Sequence, residues 1–475
     1  MSARRTIVDV GSAFARHAVS ALAGLLVIPL VAHRLGAEAL GAWALLGMSA
    51  FLLGVSDLGL SAAAQRASLR QEQERARELV GVALASIAVV SLPIGLASWA
   101  LSELPNADAA LARDIARAVA PTLAAGLVLA WGMPYRSILL ARGAISTLAK
   151  LRAAGATTQV ALTAVLLALA PSLVAVASAL LASALVETAG SVRAARLLDP
   201  ELPLWPRRPS SIEVAREAVK EGSAAFSIAV GGMLALRLDV ALLAATAPLA
   251  AVAAYGVASR AVDQSFTIAK QASSALLHRL GDPSQRESAV RLGTALLGGL
   301  VAAGMAALAL PGKGLLHAWA GEAALRPELP LALALLGAAA VVAASHETIA
   351  SALTIAGRST WDAALPLVVG YAINVAISVG GVRTYGVLAV AGGTLVGTLF
   401  TSVWLWHRAR SLFAWLRPLR FLGPALAAGT VALALGSWIE RLAEGLALSL
   451  LASVLVTIVG SAAAALTARS ISRAS

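Results

Sequence analysis

The sequence predicts an all-helical polytopic membrane protein, and three observations carry that reading. Hydrophobic residues make up 59% of the 475 positions and charged residues only 13%, about half the charged share of an ordinary soluble domain. Apolar stretches of the roughly 20 residues needed to cross the hydrocarbon recur about fourteen times. Lysine and arginine collect in every second gap between those stretches, as expected of a chain that threads a bilayer repeatedly. Runs such as 331 to 344 are apolar on all sides and do not alternate with polar residues, which speaks against a barrel.

The predicted spans run in order along the chain. The first, 10 to 32, follows Arg4 and Arg5 as the core of a secretory leader would, but it is long, contains Arg16 and His17 and has no convincing small-residue cleavage site, so an uncleaved span is expected. The second to fourth cover 39 to 65, 80 to 101 and 118 to 141. The fifth and sixth, 151 to 170 and 173 to 194, are parted only by Pro171-Ser172. The longest polar connector follows, with Pro200, Pro203, Pro206 and Pro209, and residues 211 to 220 read as a short amphipathic surface helix started by the Ser210/Ser211 cap. Six more spans, 223 to 245, 248 to 277, 292 to 311, 330 to 355, 360 to 382 and 386 to 407, mirror the first six in number, and 421 to 439 and 445 to 467 form an appended pair. The expected organisation is therefore an N-terminal six-helix lobe over 1 to 200, a linker over 201 to 222, a second lobe over 223 to 410 and two additional helices over 411 to 475. Pro29, Pro93, Pro134, Pro248 and Pro366 lie within or near span ends and, with 40 glycines, permit kinks and close helix approach.

Charge sets the expected orientation. Of 37 Lys and Arg residues, 27 fall on the side that holds both termini, 7 on the other, and three, Arg16, Arg237 and Arg260, inside spans. Cytoplasmic connectors retain such charges, so both termini are expected in the cytoplasm. The formal net charge of +12 is spread over eight segments beside lipid headgroups, with no basic stretch interleaved with aromatics, which argues against nucleic acid as a partner. Trp43, Trp99 and Trp438 fall at one set of span ends and Trp361, Trp404 and Trp406 at the other, as headgroup-depth rings should; Trp131 falls near mid-span. Cysteine is absent and the six histidines are scattered, so no thiolate or His-rich metal site is expected. No phosphate-cradling loop is present and no long aqueous loop rich in carboxylates, so neither an enzyme nor a cofactor is expected.

Two stretches carry a family resemblance. Leu35-Gly36-Ala37-Glu38-Ala39-Leu40-Gly41-Ala42-Trp43, followed by Ser56-Asp57-Leu58-Gly59-Leu60 and Gln65-Arg66, resembles the first helical hairpin of the Wzx-type polysaccharide (O-antigen) flippases, in the MOP superfamily that also holds the multidrug MATE exporters and the lipid II flippases. Leu238-Asp239 with residues 254 to 260, and Ala356-Gly357-Arg358, Asn374 and Gly386 through Gly393, resemble later helices of that family. The resemblance implies a V-shaped bundle of two six-helix lobes around a central cavity that moves undecaprenyl-diphosphate-linked oligosaccharide across a bacterial inner membrane, in lipopolysaccharide assembly. Membrane lipids, H+ or Na+ and other polysaccharide-assembly proteins are the partners it implies. Arg16 stands alone in the first helix, unlike the clustered arginines of the lipid II flippases.

Ionisable residues inside spans are the candidate site, because a charge at bilayer depth costs about 2.5 to 3.5 kcal/mol and so faces protein or a wet cavity. Guanidinium groups suit a diphosphate through bidentate contacts, which makes Arg16, Arg237 and Arg260 candidate headgroup contacts. Against this, Asp263 stands at i+3 from Arg260 and can neutralise it, and Arg16 can reach the interface. Arg237 and Asp239 point about 200° apart on a helix and are no local pair. Asp57, Asp239, His346 and Glu347 are candidates for ion coupling; Asp57 can equally bond nearby backbone, and His346 with Glu347 can equally be a polar helix end. Glu187, Arg136 and Asp362 are assigned to the interface. Two other readings remain at this point: a cation-coupled exporter of small molecules, and a non-transporting scaffold for glycan assembly.

Overall fold

The computed structural model describes residues 3–101, 107–260, 262–263, 280, 283–309, 313–356 and 361–410, with backbone alone over 3–25 and at other helical positions, Arg237 among them. The last two expected spans, 421 to 439 and 445 to 467, lie outside the described residues. Thirteen α-helices and no strand occur among the described residues: α1 Ala3–Leu52, α2 Leu60–Leu69, α3 Gln73–Leu101, α4 Ala109–Ala141, α5 Ile145–Leu169, α6 Leu173–Leu198, α7 Ile212–Thr246, α8 over 249–260, α9 Pro283–Ala309, α10 Lys313–Ala320, α11 Glu328–Ala356, α12 Trp361–Tyr385 and α13 Val387–Ala409. Eight of the described helical segments are long and apolar enough to cross a membrane. The protein is a multi-pass membrane protein built of helices, as the composition predicts.

The helices fall into two compact units. One comprises Ala15–Met233 with Ala247–Leu249, and the other Met1–Phe14, Leu234–Thr246 and Ala250–Ser475. In the first, here the N-terminal unit, α4 packs on α5 and α6, and α2 on α3 and α4. Its core joins Leu60, Ala64, Leu79, Leu84, Tyr135 and Leu139, and Trp131 packs against that core, which explains an indole away from the headgroup zone. In the second, the C-terminal unit, α11 packs on α9 and α13, and α12 lies along α13.

Capping explains several boundaries. Asp108 accepts the Ala110 and Leu111 amides at 3.0 and 2.7 Å and starts α4. Ser172 accepts the Ala175 amide at 3.2 Å and starts α6, so the break expected at Pro171-Ser172 is present. At Gly36, with φ 88° and ψ 175°, the first two spans meet in a kink within α1.

Three features differ from the sequence reading. The expected second span, 39 to 65, is broken: α1 stops at Leu52, a 3-10 turn covers Leu53–Asp57, and Leu58 and Gly59 take left-handed conformations before α2. Nothing in the run of apolar residues warns of this, because the break is made by a local turn and by no loss of hydrophobicity. The expected surface helix 211 to 220 is instead the start of α7, which runs unbroken for 35 residues; no proline interrupts 212 to 246, and Gly222 sits inside the helix. The first two turns of α3 are helical but polar, so the apolar window beginning at 80 located the span and not the helix.

The buried faces are those of membrane helices. On α13, Val396, Leu399, Phe400 and Val403 are exposed along one face, while Gly393, Thr394, Gly397 and Thr401 are buried along another. Apolar side chains suit lipid, and small or hydroxylated ones let helices approach and bond across the interface.

Candidate functional site

The closest approach of α12 and α13 is made by glycines. A Cβ on Gly397 would strike the Gly370 carbonyl, and one on Gly393 would lie 2.7 Å from Asn374 Oδ1 and 3.0 Å from Ser378 Oγ. The two backbones therefore meet where Asn374, Ser378 and Thr394 turn inward, all of them buried. Into the same place the second half of α7 brings Asp239, 1% exposed, and α8 brings Tyr255, fully buried.

The contacts among these groups are uneven. The Tyr255 hydroxyl donates to Asp239 Oδ2 at 2.8 Å. Thr394 Oγ1 lies 3.4 Å from Asp239 Oδ2, 3.5 Å from Asn374 Oδ1 and 3.1 Å from the Val390 carbonyl. Ser378 Oγ donates to Asn374 Oδ1 at 3.2 Å. A hydroxyl carries one proton, so Thr394 can satisfy only one of its three oxygen neighbours at a time. Asp239 Oδ1 is buried with no hydrogen-bond partner. One carboxylate oxygen of the cluster is thus left without a donor. Hard cations are bound by converging oxygens of carboxylates, amides, hydroxyls and carbonyls, and that is the donor set present here.

Asp57 is also buried, in the N-terminal unit, but its oxygens are engaged: Oδ1 accepts the Gly59 amide at 3.0 Å and Oδ2 the Ser61 amide at 3.1 Å. It caps α2 across the helix break. The break itself is pressed against the start of α7, since a Cβ on Gly59 would strike the Gly222 carbonyl and φ there is +77°.

The remaining sequence candidates are dispersed. Arg16 lies in α1 and Arg237 in α7, two residues before Asp239; both side chains lie outside the described residues. Arg260 is half-buried at the end of the described part of α8, and both it and Asp263 engage other groups. His346 on α11 is buried, with Nδ1 2.5 Å from Ser402 Oγ of α13. Glu347 is half-buried and engaged, and its neighbour Thr348 pairs with Thr294 of α9 at 2.8 Å. Arg136 pairs with Glu187 at 3.3 Å, and Arg408 with Asp362 at 2.9 Å. Of the seven named candidates, Asp239 and His346 both meet α13, about 12 Å apart along it given eight residues at 1.5 Å each.

The sequence reading did not name Tyr255, Ser378, Asn374 or Thr394 as site residues. The signal was present: Gly370, Asn374 and Ser378 recur at i, i+4 and i+8 on α12, as do Gly393, Gly397 and Thr401 on α13, the spacing of one small and polar helix face.

No family model matches the sequence, and a search of curated proteins finds no match. Solved structures do match. A lipid II flippase, MurJ, in an inward closed conformation aligns with a TM-score of 0.70 at 14% identity, over 94% of this chain and 97% of that one. The chain has the fold of the MOP-superfamily transporters. An inward-facing multidrug resistance transporter of the MATE family aligns at 0.63 and 15% identity over 85% of this chain and all of that one. The Vibrio cholerae MATE transporter VcmN in its bent form aligns at 0.58 and 17% identity, over 89% and 98%.

Proposed function

We propose that the protein is a cation-coupled membrane transporter that flips a lipid-linked oligosaccharide, with Asp239 as the coupling carboxylate. The observation that carries the coupling site is the bare Asp239 Oδ1, buried where the amide oxygen of Asn374 and the hydroxyl of Thr394 converge. A buried acid left half-satisfied is costly, and a bound cation removes that cost. The converging carboxylate, amide and hydroxyl oxygens are the donor set of a hard cation, and on that ground the coupling ion is read as Na+. Coupling then follows from linkage: the cation stabilises whichever arrangement of α7, α8, α12 and α13 closes the oxygens around it.

For the cargo, the Wzx-like stretches around Gly36 and Asp57 and the likeness to a lipid II flippase support an undecaprenyl-diphosphate-linked oligosaccharide, carried from the cytoplasmic to the periplasmic leaflet of a bacterial inner membrane. Arg16, Arg237 and Arg260 are the proposed diphosphate contacts, and both termini are cytoplasmic in this reading, with His346 and Glu347 as secondary participants in ion movement. The likeness to MATE-family structures supports a second reading, a small-molecule exporter using the same cation site.

Reconstitution in liposomes separates these. A fluorescent undecaprenyl-diphosphate oligosaccharide should change leaflet under an imposed Na+ gradient, and Arg237→Ala should abolish the movement. Gradient-driven uptake of cationic drugs with no lipid movement would replace the flippase reading with the exporter. An unchanged lipid distribution and no drug uptake would leave the scaffold reading.

A further inference from the structure

The connector between α6 and α7 is not a loose tether. Its backbone and side chains are fastened to one end of the N-terminal unit at five points between Asp199 and Ser210. Arg77 of α3 holds Asp199 at 2.9 Å and also pairs with Glu201. The Tyr135 hydroxyl donates to the Pro203 carbonyl at 2.6 Å, the Arg207 amide donates to the Gly81 carbonyl at 3.0 Å, and the Ser210 amide donates to Glu78 Oε1 at 2.6 Å. Leu202 is buried in the core of the unit. Four prolines stiffen the same stretch, so the strap keeps its form at small entropic cost.

Between this strap and the polar first turns of α3 lies an open-sided cavity of about 820 Å³, within the range that holds small-molecule ligands. Its lining mixes both charges. Arg207 and Arg208 are exposed, and neither forms an ion pair among the described residues. Glu74 and Glu78, at i and i+4 on α3, supply carboxylates to the same lining, and Arg77 between them is held by Asp199 and Glu201. Trp205, 76% exposed, and Leu204 also line it, and Leu197 near the end of α6 is 76% exposed. An exposed indole with leucines next to guanidinium groups at the end of membrane helices is the composition of the headgroup zone.

We infer that this cavity binds the headgroup of a zwitterionic phospholipid with a primary amine, phosphatidylethanolamine. The phosphate diester meets Arg207 and Arg208 as charge-assisted acceptors. The ammonium donates to Glu74 and the free oxygen of Glu78, and the upper acyl chain lies on Trp205 and Leu204. An anionic head brings no positive charge to the two carboxylates and adds its own negative charge beside them, and a choline head has no N–H to donate. The site belongs to the N-terminal unit alone and is independent of the cargo and of the cation at Asp239. Its consequence is that the strap is held by lipid as well as by protein.

Native mass spectrometry of the full-length protein in detergent, supplied with equal amounts of phosphatidylethanolamine, phosphatidylcholine and phosphatidylglycerol of the same acyl chains, tests this. The expected result is preferential retention of phosphatidylethanolamine by about tenfold, the worth of one charge-assisted hydrogen bond. Glu74→Gln should bring it down towards the phosphatidylcholine level while leaving phosphatidylglycerol unchanged or raised, and R207Q/R208Q should lower all three. These residues are exposed, and circular dichroism with an unchanged melting curve in lipid-free detergent confirms that the variants fold. Equal retention of ethanolamine and choline lipids by the unaltered protein, a preference for phosphatidylglycerol, or indifference to R207Q/R208Q would each overturn the assignment.

Discussion

Asp57 in the N-terminal unit and Asp239 in the C-terminal unit are both buried carboxylates within apolar helical stretches, 5% and 1% exposed, and they differ in what meets their oxygens. Asp57 sits at a helix break, where two amides freed by the Leu58-Gly59 turn point at it and use both oxygens. Asp239 lies inside an unbroken helix whose amides are committed to the helix, so its partners must come from other helices. Tyr255 donates to one oxygen and the other has none. Burial is therefore a poor guide to function in a membrane protein, and unsatisfied capacity is a better one. A carboxylate that completes a backbone turn holds the fold, and one left short of donors can take a cation.

The comparison breaks first at Asp239 itself. Asp239→Asn keeps the shape and removes the charge, so Na+ affinity by isothermal titration should fall by about a hundredfold or more, the scale of stripping a buried cation of its counter-charge. The helix approach that forms the site is next. Gly370→Val forces a side chain into Thr401 and the Gly397 carbonyl, and overpacking of this kind costs about 1 to 3 kcal/mol, read as a lowered melting temperature together with weakened Na+ binding. Thr394→Val is isosteric and removes one oxygen, so Na+ affinity should fall about tenfold with the melting temperature little changed. The smallest effect belongs to the other acid. Asp57→Ala removes a cap worth about 1 kcal/mol, so it should lower thermal stability modestly and leave Na+ affinity within about twofold. Loss of Na+ binding in Asp57→Ala with a full melting temperature would invert the comparison.

Much of the fold was legible because lipid imposes long apolar runs. The break at Pro171-Ser172, the parting of the first two spans, which falls at Gly36, and the helical class all follow from composition and spacing. The break at Leu58-Gly59 was not visible, since hydropathy measures transfer to lipid and is indifferent to a turn whose polar groups are satisfied by Asp57. The continuity of α7 is hidden for a related reason: residues 212 to 222 are polar enough to lie in water yet are good helix formers, so a change of solvent along the helix imitates the end of an element. Of the site, Asp239 stood out as a charge within a span. Its partners Thr394, Ser378 and Asn374 did not, because hydroxyl and amide side chains are common in membrane helices and bond their own backbone, as Ser345, Thr398 and Ser402 do here. What separates Thr394 from these is the acid facing it from α7, a long-range fact.

The most direct test of the central claim is equilibrium binding of radiolabelled Na+ to the purified protein by scintillation proximity, with and without the Asp239→Asn change and across a pH series. Saturable binding by the unaltered protein that disappears in Asp239→Asn and persists in Asp57→Asn is the predicted result. Saturable binding that survives Asp239→Asn, or no Na+ binding at any pH by a protein that still transports, would contradict it.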